Sequence, residues 1–451
     1  MQPDGVHPAS AMAPQHAIEG YPGRPGARPG EILELSVSTA PAARYRIEIV
    51  RLGWYDGAGE RVVASLPRHA DLQGLPRDAP APDPATGLCA AGWPVTDRVE
   101  VGRDWPSGVY LARLVLTDGP HAGRIGYIPF VVRAPLDGRP DILVQFGVNT
   151  AQAYNQWGGK SLYPSNSTER QPAVMVSFER PFNAWRSANL NSRWPFSWDY
   201  QLVRFLERHG YDVAYTTDVD VHREPWSLIG HRLIMTAGHG EYWTKEMLDG
   251  LEDALAMGSN LACMGANTIY WQARYEDDER TLVEYRRPSL DPSPDPERLT
   301  VRFRDLPTPR PECELLGVQH QDGLTRPGLP PRHYSVVADA LDDRWMAGTG
   351  FARGDELEGL VGYEWDGLRA GCEPDELCVF FEYRDELADA HAVRHRHRSG
   401  ATVFSAGSLQ FAWGLDDWGH EGHADERLQR FMRNALDELV QPDHAPAMSR
   451  P

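Results

Sequence analysis

The hydrophobic pattern of this chain changes its period near residue 135, and that change divides the sequence into two kinds of fold. From residue 31 to about residue 133, apolar and polar residues alternate in short runs, as in Arg44–Leu52 and Val109–Leu116. Period-two runs that end at turn signals such as Thr117-Asp-Gly119 predict antiparallel strands packed as a sandwich. We therefore expect an N-terminal immunoglobulin-like β-sandwich over residues 31–135.

Beyond residue 135 the predicted strands become almost wholly apolar and alternate with helices. The runs are Asp141–Phe146, Tyr211–Tyr215, His231–Ala237, Asn260–Gly265 and Ala401–Ser405. Such continuous runs are typical of strands that are buried on both faces. Apolar residues at helical spacing predict helices over residues 198–209, 245–257 and 426–440. Strands that alternate with helices predict a layered α/β unit with a parallel sheet, so the fold class is β-sandwich plus α/β.

Composition sets the expected domain limits. Residues 1–30 are rich in Pro and Gly and are predicted to form a flexible N-terminal arm. The α/β catalytic-type domain is expected over residues 136–442, with a β-rich insertion around residues 275–400, where the sequence is charged and rich in Pro. Residues 443–451 are expected to be a flexible tail.

The charge balance excludes some classes of partner. The chain has 45 basic and 64 acidic residues, a net charge of −19, which would repel a nucleic acid. Its basic run, Arg394–Arg398, is short and is predicted to be a solvated loop. No stretch approaches the roughly 18 apolar residues of a membrane-spanning helix, so we expect no membrane partner and a cytoplasmic protein. The five cysteines form no C-x-x-C pair and do not suggest a disulfide framework.

Polar and aromatic residues follow three of the predicted parallel strands. Tyr154 and Tyr163 come after the first strand, His239 and Glu241 after the third, and Asn267 after the fourth. Because ligands bind at the carboxyl ends of parallel strands, these residues predict one site. The pair His239 and Glu241 suits a metal ligand with an acid/base partner. Alternatively, Glu241 caps the following helix and His239 bonds to a loop.

The two tyrosines also allow two interpretations. Most tyrosines in Gly-rich loops such as this one are packing residues with a satisfied hydroxyl. A bound cation can instead hold a phenol deprotonated, and hard oxygen donors suit iron(III) better than zinc. Their spacing does not choose between these interpretations.

Several longer motifs together resemble one family. They are Arg44–Gly59, Ala153–Tyr163, Gly238–Trp243, Gly265–Trp271 and Gly359–Asp366. This set resembles the large (beta) subunit family of N,N-dimethylformamidase over about residues 18–440. The resemblance implies a class I glutamine-amidotransferase-like layered α/β domain, in agreement with the strand pattern.

The resemblance also implies chemistry for particular residues. It implies hydrolysis of a small alkyl amide or formamide at a mononuclear iron (Fe3+) held by Tyr154, Tyr163 and Glu241. The implied catalytic residues are His239 beside the metal, Asn267 at the substrate carbonyl, Glu364 as a catalytic carboxylate and Phe404 as an aromatic wall. Tyr200 is a rival for one of the tyrosine positions, because it begins a helix near the same edge of the sheet.

The implied partner is a small-molecule amide substrate. The family's enzyme also has a small partner subunit, a longer N-terminal region and a far longer loop between its two tyrosines. A homo-oligomer and a small partner subunit therefore both stay open for this chain, and the shorter loop predicts a site of different shape.

Two other functions compete with the metal interpretation. Cys263 follows a buried strand at about the place of an amidotransferase nucleophile, but Leu261 occupies the position of one expected glycine. A buried strand cysteine usually behaves as a small hydrophobe. The other alternative is a non-catalytic glycan-binding or ligand-binding protein, which the sandwich and the 14 tryptophans would suit.

Overall fold

The computed structural model describes residues 11–67, 71–182, 193–324, 330–372, 374–386 and 388–441. This described part of the chain consists mainly of β-sheets with few helices. Within it, no helix combines the length and the apolar character that a bilayer crossing requires. The predicted tail, residues 443–451, and the first ten residues of the predicted arm lie outside the described residues.

The alternating segment forms two sheets. Its strands are β1 (Glu19–Pro22), β2 (Gly26–Ala27), β3 (Ile32–Ser38), β4 (Arg44–Leu52), β5 (Glu60–Leu66), β6 (Leu72–Gln73), β7 (Asp97–Glu100), β8 (Gly108–Leu116) and β9 (Ile125–Val132). One sheet has the order β1-β3-β7; the other has the order β2-β9-β8-β4-β5, with β6 also paired to β4. The antiparallel pairing of β4, β8 and β9 confirms the strands that the alternation predicts.

Part of the predicted flexible arm belongs to these sheets. Strand β1 pairs with β3, and β2 pairs with β9, so residues 19–27 are ordered, contrary to the sequence prediction. Gly20 permits the first pairing, since a Cβ atom there would lie 2.5 Å from the carbonyl oxygen of Ser36. Pro and Gly here therefore mark short strands in close contact rather than a free arm.

Strand β8 shows why an alternating pattern alone does not predict which residues of a strand are buried. Tyr110 and Ala112 of β8 lie in the core that the two sheets share, whereas Val109 and Leu111 point into the main core of the molecule. Strand β8 is therefore buried on both faces. Its one charged residue, Arg113, is buried with ion pairs to Glu48 at 2.7 Å and Glu60 at 2.9 Å.

The remainder of the chain is organised around a nine-stranded sheet. Its strands and those of two smaller sheets are β10 (Ile142–Phe146), β11 (Met175–Ser177), β12 (Val213–Thr217), β13 (Leu233–Ala237), β14 (Tyr242–Thr244), β15 (Asn260–Cys263), β16 (Trp271–Glu276), β17 (Thr281–Val283), β18 (Gln319–Leu324), β19 (Arg332–Val336), β20 (Glu356–Val361), β21 (Glu364–Gly367), β22 (Asp375–Tyr383), β23 (Ala390–Arg396) and β24 (Thr402–Ser405). The helices are α1 (Val148–Tyr154), α2 (Tyr200–Arg208), α3 (Asp218–Arg223), α4 (Lys245–Ala256), α5 (Glu312–Leu316) and α6 (Glu426–Leu439).

The large sheet has a parallel part of five strands and an antiparallel part of four strands. Its order is β12-β10-β13-β15-β24-β23-β22-β19-β20. The first five strands are parallel, which confirms the strands predicted from apolar runs. The other four are antiparallel and lie within the charged segment that was predicted as a β-rich insertion. That segment extends the main sheet, and it also contributes β17, β18 and β21 to the smaller sheets β11-β17-β16-β14 and β18-β21.

Helix α4 begins and ends where its sequence predicts. The Thr244 side chain accepts a hydrogen bond from the backbone N–H of Met247, which satisfies one free donor of the first turn. Gly258 follows the helix with φ +101°, a conformation that glycine adopts without strain. Leu248, Leu251 and other apolar residues of one face are buried against the sheet.

The structure contains a disulfide that the cysteine count did not suggest. Cys313 of α5 is bonded to Cys372, which lies 59 residues later in the loop after β21. Cys263 and Cys89 are buried free thiols. A single bridge between distant segments has no spacing motif, so it was not predictable from the sequence.

Candidate functional site

The residues predicted at the strand ends do converge. Tyr154 ends helix α1 directly after β10, Glu241 follows β13, and Asn267 follows β15. Two glycines allow the connecting loops to approach each other: a Cβ atom on Gly147 would lie 2.3 Å from the His239 carbonyl oxygen, and one on Gly265 only 1.8 Å from the Gly238 oxygen. The carboxyl ends of three parallel strands therefore share one edge, as the sequence predicts.

The two tyrosines lie face to face. The rings of Tyr154 and Tyr163 stack with centroids 4.1 Å apart and planes 18° apart. The Tyr163 hydroxyl donates a hydrogen bond of 2.5 Å to Oε1 of Glu241. Burial, together with the charge of Glu241, raises the pKa of both phenols well above the ordinary value, so both are neutral without a cation.

Glu241 has one occupied and one open carboxylate oxygen. Its Oε1 also accepts a hydrogen bond of 3.0 Å from the Trp271 indole N–H. Its Oε2 has no hydrogen-bond partner among the described residues and faces His239 Nε2 at 3.7 Å. Burial raises the pKa of Glu241, attraction to His239 opposes that rise, and repulsion from Glu364 adds to it.

The alternative role of Glu241 as a helix cap does not fit this geometry. Helix α4 is capped by Thr244, not by Glu241, and the short strand β14 lies between Glu241 and the helix. The Glu241 carboxylate instead lies among aromatic donors at the sheet edge.

Glu364 and His239 form a charged pair at the same edge of the sheet, next to Glu241. Oε2 of Glu364 lies 3.4 Å from His239 Nε2 and accepts a hydrogen bond of 2.7 Å from Asn267 Nδ2. Burial alone would raise the pKa of Glu364, but the charge of His239 and the hydrogen bonds hold it at about 2. His239 in turn has a raised pKa, because Glu364 outweighs the effect of burial. His239, Asn267 and Glu364 each expose at most 6% of their surface.

Asp366 and His320 support this pair, and the sequence did not single out either residue. Both carboxylate oxygens of Asp366 accept the Asn267 backbone N–H at 2.9 Å, which holds Asn267 in a left-handed conformation with φ +50°. His320 Nδ1 lies 3.2 Å from Asp366 Oδ1. Burial would lower the pKa of His320, but Asp366 and Glu364 raise it to about 9. Strands β18 and β21 bring the two residues together; Asp366 lies within the Gly359–Asp366 motif, whereas no sequence signal marked His320.

Tyr242 and Arg286 are a further pair that the sequence analysis did not name as site residues. The Tyr242 hydroxyl donates a hydrogen bond of 2.7 Å to the Tyr163 oxygen, and Arg286 Nη2 donates one of 2.6 Å to Tyr242. The Arg286 guanidinium also lies 4.4 Å above the Tyr163 ring and 5.2 Å from that of Trp271. Tyr242 and Trp271 stand inside the motifs of the resemblance, which was the available signal.

Phe404 and Tyr200 lie elsewhere, and their predicted roles need correction. Phe404 packs against the rings of Trp345, Phe411 and Phe431, on the side of the sheet covered by α6.

The Tyr200 hydroxyl donates to the backbone carbonyls of Gly53 and Gly59 and thereby connects α2 to the N-terminal sheets. Phe404 is therefore a core residue, and Tyr200 is not a rival ligand.

Cys263 has the environment of a core thiol. It is buried, and its Sγ lies 3.4 Å from the Thr268 hydroxyl. Burial raises the pKa of the Cys263 thiol, which disfavours the thiolate that a nucleophile needs.

The donor atoms of this cluster fit a hard trivalent cation. In the described ranges no three His, Cys, Asp or Glu side chains are placed to hold a metal ion together. A metal at this site would therefore need the tyrosines, and two phenols beside a carboxylate with an open oxygen are an all-oxygen donor set. Such a set suits iron(III).

Comparisons with known proteins point to one family. The family model described as "N,N-dimethylformamidase beta subunit-like, C-terminal" matches residues 46–425. The N,N-dimethylformamidase beta subunit of Paracoccus aminophilus is 26% identical over 117 residues, and that of an Alcaligenes species is 25% identical over the same length. Each alignment covers 24% of this chain but only 15% of the relative. A solved structure titled "mmIFT52 N-terminal domain" gives a TM-score of 0.29 at 10% identity, covering 52% of this chain and 88% of that one.

Proposed function

Because this chain belongs to the N,N-dimethylformamidase beta subunit-like family, we propose that it is an amide hydrolase with an iron site. The proposed ligands of a mononuclear iron(III) are Tyr154, Tyr163 and Glu241. The observation that carries the proposal is the meeting of two stacked phenols with a buried carboxylate, the Tyr163 oxygen lying 2.5 Å from Glu241. Once both phenols lose their protons, the three side chains balance the charge of the cation.

When bound, iron(III) would supply Lewis-acid chemistry towards an amide carbonyl or a water molecule. The residues of the chain would hold and move the protons. The charge of His239 and the hydrogen bonds lower the pKa of Glu364 and keep it ionised, so its carboxylate would be the acceptor for the proton of an attacking water. His239, 3.4 Å from Glu364, can pass a proton to the leaving amine.

Asn267 orients Glu364, and its remaining amide proton and its side-chain oxygen are available to bind the reactants. One of its two amide protons goes to Glu364, and the other can reach a carbonyl oxygen. Its Oδ1 has no partner in the described part of the chain, although it is buried. A buried unpartnered oxygen is costly, so a water or substrate N–H is the expected donor to it.

The proposed substrates are small alkyl amides or formamides. The names of the two relatives support this class, and the rings of Tyr154, Tyr163 and Trp271 around the donors would suit alkyl groups. Those relatives are also named as beta subunits, which supports a partner subunit for this chain.

We propose the finer fold assignment on similar grounds. Two sheets around a common core support an immunoglobulin-like sandwich. Five parallel strands that carry the site at their carboxyl ends support a class I glutamine-amidotransferase-like domain.

Iron content and colour test the proposal directly. The purified full chain, prepared with ferrous and ferric salts, is expected to contain one iron per chain and to show a visible phenolate charge-transfer band. It should release dimethylamine from N,N-dimethylformamide, and chelation of the iron should abolish both signals. Stoichiometric zinc, or an active colourless protein without metal, would contradict the iron site.

Replacing Cys263 separates the iron mechanism from a cysteine mechanism. Cys263→Ala is expected to retain iron and turnover, because the thiol lies in the core beside Thr268 rather than among the proposed ligands. The measurement is the initial rate of amine release, with iron per chain determined on the same sample. Loss of turnover in a folded, iron-loaded variant would favour Cys263 as the nucleophile.

A further inference from the structure

Among the described residues, a chain of hydrogen bonds leads from Arg286 to Tyr163 and not to Tyr154, on which Tyr163 stacks. Arg286 Nη2 donates to the Tyr242 hydroxyl at 2.6 Å, and Tyr242 donates to the Tyr163 oxygen at 2.7 Å. The Arg286 guanidinium also lies over the Tyr163 ring, 4.4 Å from its centroid. Tyr163 therefore receives both a hydrogen bond and a nearby positive charge.

Tyr154 has different surroundings. Its ring stacks on Tyr163 and lies 5.8 Å from that of His239. In the described part of the chain, the hydrogen bonds of Arg286 and Tyr242 do not reach the Tyr154 hydroxyl. The hydrogen-bond donor and the positive charge that lie beside Tyr163 are therefore not shared equally by the two tyrosines.

We infer that Tyr242 and Arg286 are positioning residues that make the two proposed tyrosine ligands unequal, Tyr163 being the weaker electron donor. The inference rests on the proposed function, because it concerns the same iron site. In the absence of metal the Tyr163 proton is donated to Glu241. Iron binding would release that proton to the solvent, and the Tyr242 hydroxyl, 2.7 Å away, would remain the hydrogen-bond donor to the Tyr163 oxygen.

The local fold makes this arrangement rigid. Tyr242 begins strand β14 and is the residue after Glu241, so one short segment supplies a proposed ligand and the hydrogen-bond donor to another. Arg286 follows β17 in the same four-stranded sheet, and its backbone N–H donates to Glu284 at 3.0 Å. Partners that fix the orientation of a ligand in this way commonly tune the metal as well.

The inequality has a spectroscopic consequence. A hydrogen bond and a cation stabilise the electron pairs of a phenolate oxygen, so charge transfer from Tyr163 should need more energy than charge transfer from Tyr154. Resonance Raman spectra of the iron-loaded protein should therefore contain two phenolate C–O stretching modes. One mode should shift when water is replaced by D₂O, because the Tyr242 proton exchanges.

Variants identify the source of that shift. Tyr242→Phe should keep one iron per chain, move the charge-transfer band to longer wavelength and remove the D₂O sensitivity. Arg286→Met should move the band in the same direction. Tyr45→Phe is the matched control, since it deletes another buried hydroxyl, bonded to Asp97 at 2.6 Å in the N-terminal sheets, and should leave the band in place.

The outcomes separate this inference from the proposed function. A parent protein without iron or phenolate modes would overturn the proposed function itself. Two phenolate modes that are both insensitive to D₂O, or an unshifted band in iron-loaded Tyr242→Phe, would overturn the inference alone. If Tyr242→Phe fails to fold, the D₂O experiment on the parent protein still decides whether a hydrogen bond to one phenolate is present.

Discussion

Glu241→Gln is expected to release iron from the protein while the metal-free chain keeps its fold. Glutamine preserves the shape of the side chain, and its carbonyl oxygen can still accept the hydrogen bonds of Tyr163 and Trp271. It removes the negative charge that a cation requires. Because burial raises the pKa of Glu241, the charge is costly in the absence of metal, and its loss should not destabilise the metal-free protein.

The measurement compares melting temperatures and iron content with and without iron. At a concentration about a thousandfold above the dissociation constant, a ligand stabilises the folded state by about 4 kcal/mol. The parent protein should show a stabilisation of that order, and the variant should show none. If Glu241 only shaped the loop before α4, the two proteins would respond to iron alike.

Glu312→Gln is the matched control. Glu312 is also buried, its pKa is raised to about 7 by burial, and its ion-pair partner is Arg304 at 2.8 Å rather than a proposed ligand. This variant should keep full iron. Full iron in Glu241→Gln would instead transfer the role of ligand to Glu364.

The sequence predicted the strands well because a strand that is buried on one face alternates apolar and polar residues, whereas a strand that is buried on both faces is a continuous apolar run. The apolar run at β10 and the alternation at β4 each appear at the predicted residues. The hydrophobic pattern does not show which distant segments pack against a strand or pair with it. Strand β8 alternates like a half-exposed strand, yet the α/β part of the chain covers its second face. Strands β19, β20, β22 and β23 join the main sheet through long-range pairing.

The site was predictable where it depends on strand ends. Tyr154, Glu241 and Asn267 meet because parallel strands end at the same edge, and that rule needs no coordinates. His320 and Arg286 come from the antiparallel segment, where spacing gives no indication of which side chains reach the edge. Phe404 was misplaced because side chains alternate along a strand: its neighbour Val403 points to the opposite face of the sheet.

The second large effect is expected for Glu364→Gln, which should lose turnover but keep iron. A positioned acid or base typically contributes about 10²–10⁴-fold to the rate, and kcat should fall by that order. Glutamine can still accept the Asn267 hydrogen bond but cannot take a proton from water. Its neutral amide also leaves His239 without its main opposing charge, so the pKa of His239 should fall and its supply of protons should weaken.

Three measurements on the same sample decide this prediction: kcat, iron per chain and the position of the charge-transfer band. Glu358→Gln, an exposed position on β20, removes the same charge close by in sequence and should leave all three unchanged. Loss of iron in step with kcat would make Glu364 a ligand, which contradicts its assignment as the proton carrier. An unchanged kcat in the iron-loaded variant would remove Glu364 from the mechanism and leave His239 as the group that must move the proton.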